Sequence, residues 1–521
     1  MGNNTSRTIN SVKNITTGFL GQFIQTFLGF ISRTVFIKCL AAEYLGVSGL
    51  FTNILSVLSL TELGVGTAII YALYKPLAEK DEEKISMLMN FYAKAYKTIG
   101  TLIIIISLVL TPFLKYLIKD VPNISESIYV IFFFYLFNTA ITYFFSYKNS
   151  IITADQKNYI ALIISYIIAI VQTILQIGVL IITRNFLAYL IVQSLCSLTY
   201  NIVISITADK LYPFLKKNKK QQLDKNFKKE LVINIKALMI VKLSGVLVNN
   251  TDNIIITYFS GLSAVGLCSN YNMLISVIST ILNQIFSGIT ASVGNLNAKE
   301  SKEKQKDFFD IINFANFWLY GFAVIGIIIM SNDIIKVWIG ERFILPIHIP
   351  IILAINFYMV GMQNAVWTYK NTLGLFRYGK YILLFTASMN LLLSMILGSY
   401  MGLFGILLAT AISRVLTNSW YDPYVVFKYG LNSSIKKYFI RYFKFLGILA
   451  IGLGVTFFIT SFIEVTGILT LILKLVICCI IPNIIFILVF CRTKEYKYFM
   501  RIFIQLLNKV SAIKSKKVCK N

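Results

Sequence analysis

The chain has one histidine and only 22 acidic residues among 521 positions. The histidine, His348, stands beside Pro346 and Pro350 in a loop of roughly twenty residues, an ordinary loop position. No paired-carboxylate, metal-ligand or nucleophile-base constellation accompanies it, so the chain gives no catalytic residue and little support for a membrane enzyme. The seven cysteines, Cys39, Cys196, Cys268, Cys478, Cys479, Cys491 and Cys519, lie mostly in apolar runs. None has metal-ligand spacing, which argues against a zinc site and a disulfide framework and for small packing residues. Long polar runs are missing too, so no loop can hold a soluble domain. No signal-peptide cleavage site is evident, and the first apolar span is long enough to remain as an uncleaved anchor.

What is present is apolar. The chain is 57% hydrophobic with a mean hydropathy of +0.73, which places it in the membrane class. We read an all-α polytopic protein of about fourteen spans, at about 14–40, 45–74, 90–118, 127–153, 159–183, 186–207, 231–258, 264–294, 308–330, 349–372, 381–399, 403–427, 439–463 and 468–491. Lys94, Lys97, Lys148, Lys370 and Arg441 are counted with the inner segments and Lys115 with an outer loop, and seven of the 49 are left inside spans. With the N-terminus inside, 37 of the 49 then fall on inner segments and five (Lys115, Lys119, Arg184, Lys336 and Arg342) on outer loops. That bias assigns both termini to the cytoplasm. A formal charge of +27 suggests nucleic acid in a soluble protein; here basic inner loops at an anionic leaflet account for it. The richest, 211–230, separates the halves.

A shift of 220 positions carries Gly46, Ser56, Val57, Ser59, Ile69, Ala78, Glu83 and Lys84 onto Gly266, Ser276, Val277, Ser279, Ile289, Ala298, Glu303 and Lys304 without a gap. A second echo pairs SYKNS (146–150) with TYKNT (368–372) at a shift of 222. Six spans per copy is an even number, so the copies enter the membrane in the same sense, a parallel repeat. We therefore expect a six-helix bundle over 1–210, the linker 211–230, a second bundle over 231–430, two additional helices over 431–491 and a basic tail over 492–521, with the bundles around a central cavity.

The segments SRTVFI (32–37), EYLGVSGLFTNILSVLSLTELGVGTAIIYALYKPLAE (43–79) and VWIGE (337–341), on this helix plan, resemble the bacterial polysaccharide exporters. These are the Wzx-type flippases of lipid-linked oligosaccharides, within the larger superfamily of multidrug, oligosaccharidyl-lipid and polysaccharide exporters. The resemblance implies alternating access in the bacterial cytoplasmic membrane. It implies a substrate consisting of an oligosaccharide on a polyprenyl diphosphate, and as partners membrane lipids and the polysaccharide polymerase machinery. It further implies a monomeric carrier without cofactor, an arginine-lined cavity, and a lipid-tail groove at the last two helices.

Span two carries Ser48, Thr52, Ser56, Ser59, Glu62 and Gly66 at steps of three or four, hence on one helix face. Span eight repeats the pattern with Asn272, Ser276, Ser279, Asn283, Ser287 and Thr290. Spans one and seven add Gln22, Thr26, Gly29 and Arg33, and Lys242, Gly245, Asn249 and Asp252. Stripes of small residues ordinarily serve helix packing. Four in duplicated helices, each with an amide or a charge, point to a polar cavity. An ionisable residue inside a span costs about 2.5–3.5 kcal/mol on insertion scales, which makes each one a candidate. At about 1.5 Å per residue, Arg33 and Asp252 lie about 10 Å from the outer ends of their spans and Glu62 and Lys242 about 25 Å from theirs. Opposite charges at equal depth are also able to pair structurally.

The candidate substrate ligands are Arg33, Lys242, Arg414, Asn249 and Asn283, because a guanidinium fork matches phosphate oxygens and amides match sugar hydroxyls. The candidate coupling or gating residues are Glu62, Asp252, Lys148 and Lys370. Three cations against two carboxylates fit an anionic substrate better than the cation or drug antiporter of the same fold, which is the alternative. A polysaccharide polymerase or ligase is the third class weighed, and it lacks catalytic groups here. Coupling to a proton, a sodium ion or the membrane potential is equally compatible with these residues. The charge bias makes one prediction: Lys217→Cys and Glu341→Cys are labelled by an impermeant thiol reagent from opposite sides of the membrane. Labelling of both from one side overturns the topology.

Overall fold

Inside a hydrocarbon layer no water is available to backbone N–H and C=O groups, so a spanning segment has to satisfy them itself, as a helix. The computed structural model describes residues 2–59, 65–117, 124–145, 147–217, 251–375 and 381–501, with a few isolated positions between these blocks. They are helical almost throughout, with no strand among them. The chain divides into two compact units, Met1–Ser269 and Asn270–Asn521.

The first unit contains α1 (Gly2–Cys39), α2 (Ala42–Leu58), α3 (Val65–Glu79), α4 (Glu82–Leu110), α5 (Ile128–Phe145), α6 (Tyr147–Ala154), α7 (Asn158–Thr183) and α8 (Phe186–Leu211). It closes with the start of α9 (Asp252–Lys299), which passes into the second unit. There follow α10 (Lys302–Ile339), α11 (His348–Met362), α12 (Asn364–Thr372), α13 (Ile382–Leu416), α14 (Asn418–Val425), α15 (Lys436–Thr460) and α16 (Ile468–Phe490).

The duplication is visible in these boundaries. Helix α4 begins at Glu82 behind the N-cap Asp81, whose carboxylate accepts from the Lys84 amide at 2.9 Å. Helix α10 begins at Lys302 behind Ser301, at the same 220-residue shift. In the second copy the fourth helix is interrupted before its lysine, at Gln363 between α11 and α12; the position between α5 and α6 in the first copy lies outside the described residues.

Among the described residues eleven helices are long and apolar enough to cross a membrane. They reconcile with about fourteen spans. Spans eleven and twelve run as one helical stretch through Gly402. Span two is covered by α2 and α3, with 60–64 outside the described residues, and most of span seven lies outside them as well. The chain is thus a multi-pass membrane protein. The expected linker lies largely outside the described residues as well.

The two additional helices dock on α10. The rings of Phe317 and Phe445 stack at 4.2 Å, Phe486 packs on Phe317 at 5.2 Å, and Trp318 donates to Asn483 at 2.8 Å. Arg441 of α15 bridges Asp310 of α10 at 2.9 Å and Glu495, beyond α16, at 3.1 Å. Lys474 of α16 reaches Asp333 of α10 at 2.5 Å.

Turns between spans this tight need glycine. Gly402 has φ 55° and ψ −135°, a conformation that a side chain makes costly. A Cβ on Gly405 would sit 2.1 Å from the Leu397 carbonyl oxygen. We expect Gly402→Val to cost about 1–3 kcal/mol and to reduce the monodisperse, detergent-extractable fraction of a fluorescent fusion. Gly447→Val is the control, because nothing lies within 4 Å of the Cβ position at Gly447. Equal yields from both variants would refute the strain at the turn.

Candidate functional site

In the first unit the candidate Arg33 lies near the C-terminal end of α1, half-buried. Its guanidinium donates to the Ser269 hydroxyl, and Ser269 in turn donates to the Gly266 carbonyl at 2.6 Å. The Tyr189 phenol lies beside the same guanidinium, and Gln176 Nε2 donates to the Tyr189 backbone carbonyl at 3.5 Å. Behind it Phe36 stands edge-on to Tyr189 at 5.3 Å and to Phe186 at 5.8 Å. An arginine inside an apolar helix thus donates to a hydroxyl, with aromatic rings close by. This arrangement orients a fork of donors.

The candidate Asp252 opens α9 in the same unit. Glu62, Lys242 and Asn249 lie outside the described residues. The stripe of α2 is open on its own unit: Thr52 is exposed, and Ser48 and Ser56 are partly so. Ser48, Thr52 and Ser59 each donate to the carbonyl four residues earlier, at 2.7 Å. These hydroxyls are satisfied within the helix yet leave a polar surface.

In the second unit the stripe of α9 is likewise open, with Asn272, Ser276 and Asn283 exposed. Asn283 Oδ1 accepts from the Tyr320 hydroxyl of α10 at 3.4 Å and from Asn364 Nδ2 of α12 at 3.5 Å, while Asn364 Nδ2 also donates to the Tyr320 oxygen at 2.8 Å. Arg414 is half-buried near the end of α13.

The duplicated lysines each meet an aspartate of their own unit. Lys148 of α6 pairs with Asp209 of α8 at 2.7 Å, and Lys370 of α12 pairs with Asp422 of α14 at 2.6 Å. Asp422 is 2% exposed and its second oxygen accepts from Trp367 Nε1 at 3.1 Å. Sequence reasoning missed both aspartates, as it missed Tyr189, Ser269, Tyr320 and Asn364. The usable signal was an acidic residue near the C-terminal end of the sixth span in each half. Among the described residues no group of three or more His, Cys, Asp and Glu is arranged to hold a metal.

The family profile described as "Polysaccharide biosynthesis protein" matches residues 11–291, more than half of the chain. The chain belongs to that family. No curated protein sequence matches it. Three solved structures share its fold. The lipid II flippase MurJ in an inward closed conformation aligns with TM-score 0.65 and 14% identity, over 90% of this chain and 98% of MurJ. An inward-facing multidrug resistance MATE transporter of the MOP superfamily aligns with TM-score 0.61 and 14% identity, over 77% of this chain and 94% of its own. A MOP superfamily transporter from Pyrococcus furiosus, noted for reverse polarity of its binding pocket, aligns with TM-score 0.51 and 13% identity, over 82% and 96%. At such identities the likeness establishes the fold of this family member: that of the MOP superfamily transporters.

The Lys–Asp pairs lead to a prediction within one unit. Removing one partner of a buried pair leaves an uncompensated charge, at a cost of about 3–5 kcal/mol, whereas replacing both by apolar groups is often neutral. Lys370→Met should therefore lower the thermal midpoint in detergent sharply, and adding Asp422→Leu should restore most of it. Additive losses in the double variant would show that the two side chains do not act as a pair.

Proposed function

We propose that this protein is a flippase that moves a polyprenyl-diphosphate-linked oligosaccharide across the bacterial cytoplasmic membrane by alternating access, for surface polysaccharide synthesis. The observation that carries this reading is Arg33. A guanidinium stands in a membrane-spanning helix and donates to the hydroxyl of Ser269, beside the phenol of Tyr189. A guanidinium meets the oxygens of a diphosphate in a two-pronged fashion. Membership of a polysaccharide biosynthesis family supports the glycan part of the substrate.

Lys242, Arg414 and Asn249 are proposed as further substrate ligands and Glu62 and Asp252 as coupling groups. Lys148 and Lys370, each already engaged by an aspartate, are proposed to hold the inner ends of the fourth and sixth helices together. An apolar chain needs an apolar lodging. The second unit offers a cavity of 270 Å³ between α9, α10, α11 and α16, and one of 530 Å³ lined by α10, α11, α13 and α15. Outward movement of each unpaired negative charge down an inside-negative potential releases about 2.3 kcal/mol per 100 mV, so the potential suffices as a driving force.

The test is complementation of flippase-deficient strains, each requiring a different lipid-linked sugar. Wild type should rescue at least one strain. Arg33→Ala should lower transport by about tenfold or more at unchanged membrane abundance, and Arg33→Lys, which keeps charge but loses the fork, should be intermediate. The double variant Arg33→Ala with Asp252→Ala separates phosphate binding from structural pairing. An abundant but inactive protein supports phosphate binding, and substantial transport by it refutes that role.

A further inference from the structure

We infer that Asn283, Asn364 and Tyr320 form an uncharged carbohydrate subsite in the second unit, contacting the sugar part of the substrate; this rests on the flippase reading above. The three residues come from three different membrane-spanning helices, α9, α12 and α10. They hydrogen-bond to one another and to no charged group. Asn283 is exposed and Asn364 half-buried. An amide facing hydrocarbon without a partner is costly, and an exposed Asn283 keeps both of its N–H donors uncommitted among the described residues. The face of this cluster is therefore polar and wet at membrane depth. Asn364 Oδ1 adds an acceptor that is likewise uncommitted.

The third member is fixed in place. Tyr320 is 3% exposed, its ring stacked on Phe286 at 6.2 Å and tilted against Phe357 at 5.0 Å. It fills a notch that only glycine leaves open: a Cβ on Gly361 would lie 2.0 Å from the ring. The backbone at Gly361 is held in turn by Asn316 Nδ2, which donates to its carbonyl at 2.7 Å. The phenol thus orients both amides, leaving amide N–H donors and an acceptor facing outward at fixed positions. Donors and acceptors alternating without net charge complement vicinal hydroxyl and acetamido groups, and they offer no ion pair to an isolated cation or a phosphate.

The test uses full-length protein in nanodiscs and measures binding of two kinds of probe: polyprenyl diphosphate without sugar, and a panel of polyprenyl diphosphates each bearing one hexose or N-acetylhexosamine. Wild type should bind at least one glycosylated probe more tightly than the bare one. The variant Asn283→Ala with Asn364→Ala should lose that preference by about tenfold, the worth of one or two neutral hydrogen bonds, and bind the bare probe as wild type does. Tyr320→Phe, which keeps the ring and removes the hydroxyl, should give a smaller loss of the same preference. Arg33→Ala should weaken both kinds of probe. Absence of any sugar preference in wild type, or its persistence in the double variant, overturns the subsite and leaves the flippase reading standing. Failure of wild type to bind either kind of probe overturns both. If the double variant is poorly extracted, Asn283→Ser alone, which keeps one short donor, is measured instead: an unchanged preference overturns the subsite and a partial loss supports it.

Discussion

A charge in a membrane-spanning helix must be compensated within reach of its own side chain, and the rest of this structure follows from how that is done. Water is absent, the dielectric is low and the Coulomb energy of a close pair is correspondingly large, but so is the cost of taking each ion from water. The two terms nearly cancel for an intact pair and fail badly for a broken one. Lys148–Asp209 and Lys370–Asp422 therefore add little net stability, yet they fix which turn of one helix meets which turn of another. Lys474–Asp333 does the same for α16 on α10. Arg33 donates to the Ser269 hydroxyl, a group that supplies a hydrogen bond while leaving the positive charge in place.

The two copies of the repeat have kept this frame and changed what stands on it. Both retain the start of the third helix at the same shift and a Lys–Asp pair that joins the fourth helix to a later one. Between the third and fourth helices the contacts differ. A Cβ on Gly100 of α4 would lie 3.0 Å from the Tyr143 Cβ of α5, whereas 220 positions on stands Tyr320 of α10, whose ring fills the notch at Gly361 of α11. There the Tyr320 hydroxyl meets Asn283 and Asn364. Duplicated helices thus reach different chemistry without a change of fold.

The helices, their turns and the repeat were legible because hydropathy and glycine report on the backbone directly. The short gaps after residues 258 and 399 became the turns at Gly261 and Gly402, both at positive φ. The two lysines were legible because SYKNS and TYKNT align. Their aspartates were not. Asp209 and Asp422 stand 61 and 52 residues beyond their lysines, so neither shift that aligns the lysines also aligns the acids. Ion pairing depends on the reach of two side chains in space, and small insertions in the connecting loops erase it from the sequence while leaving the contact intact. Asn283 was visible in a stripe, but Tyr320, one of 30 tyrosines in a mostly apolar span, was not; its role depends on the notch at Gly361. Asp422, in the same span as Arg414, is committed to Lys370 and Trp367.

An amphiphile made of a charged diphosphate, a neutral glycan and an apolar chain sets three different physical problems, and a carrier has to release each part as readily as it binds it. Charge recognition is the hazardous one. A cation too strongly exposed would trap the diphosphate, and one fully paired would ignore it. In the proposed carrier Arg33 would meet this first problem, and neutral amides and a phenol would solve the second without adding to the first. Their hydrogen bonds are individually worth about 1 kcal/mol, enough to discriminate between sugars and too little to hold one. They also leave the electrical work of transport unchanged, because the membrane potential acts on charge alone. Specificity assigned to uncharged groups and driving force assigned to the diphosphate are then separable properties. A protein of this kind can change its glycan by substitution at amides such as Asn283 and Asn364 while its arginine and its Lys–Asp frame stay as they are.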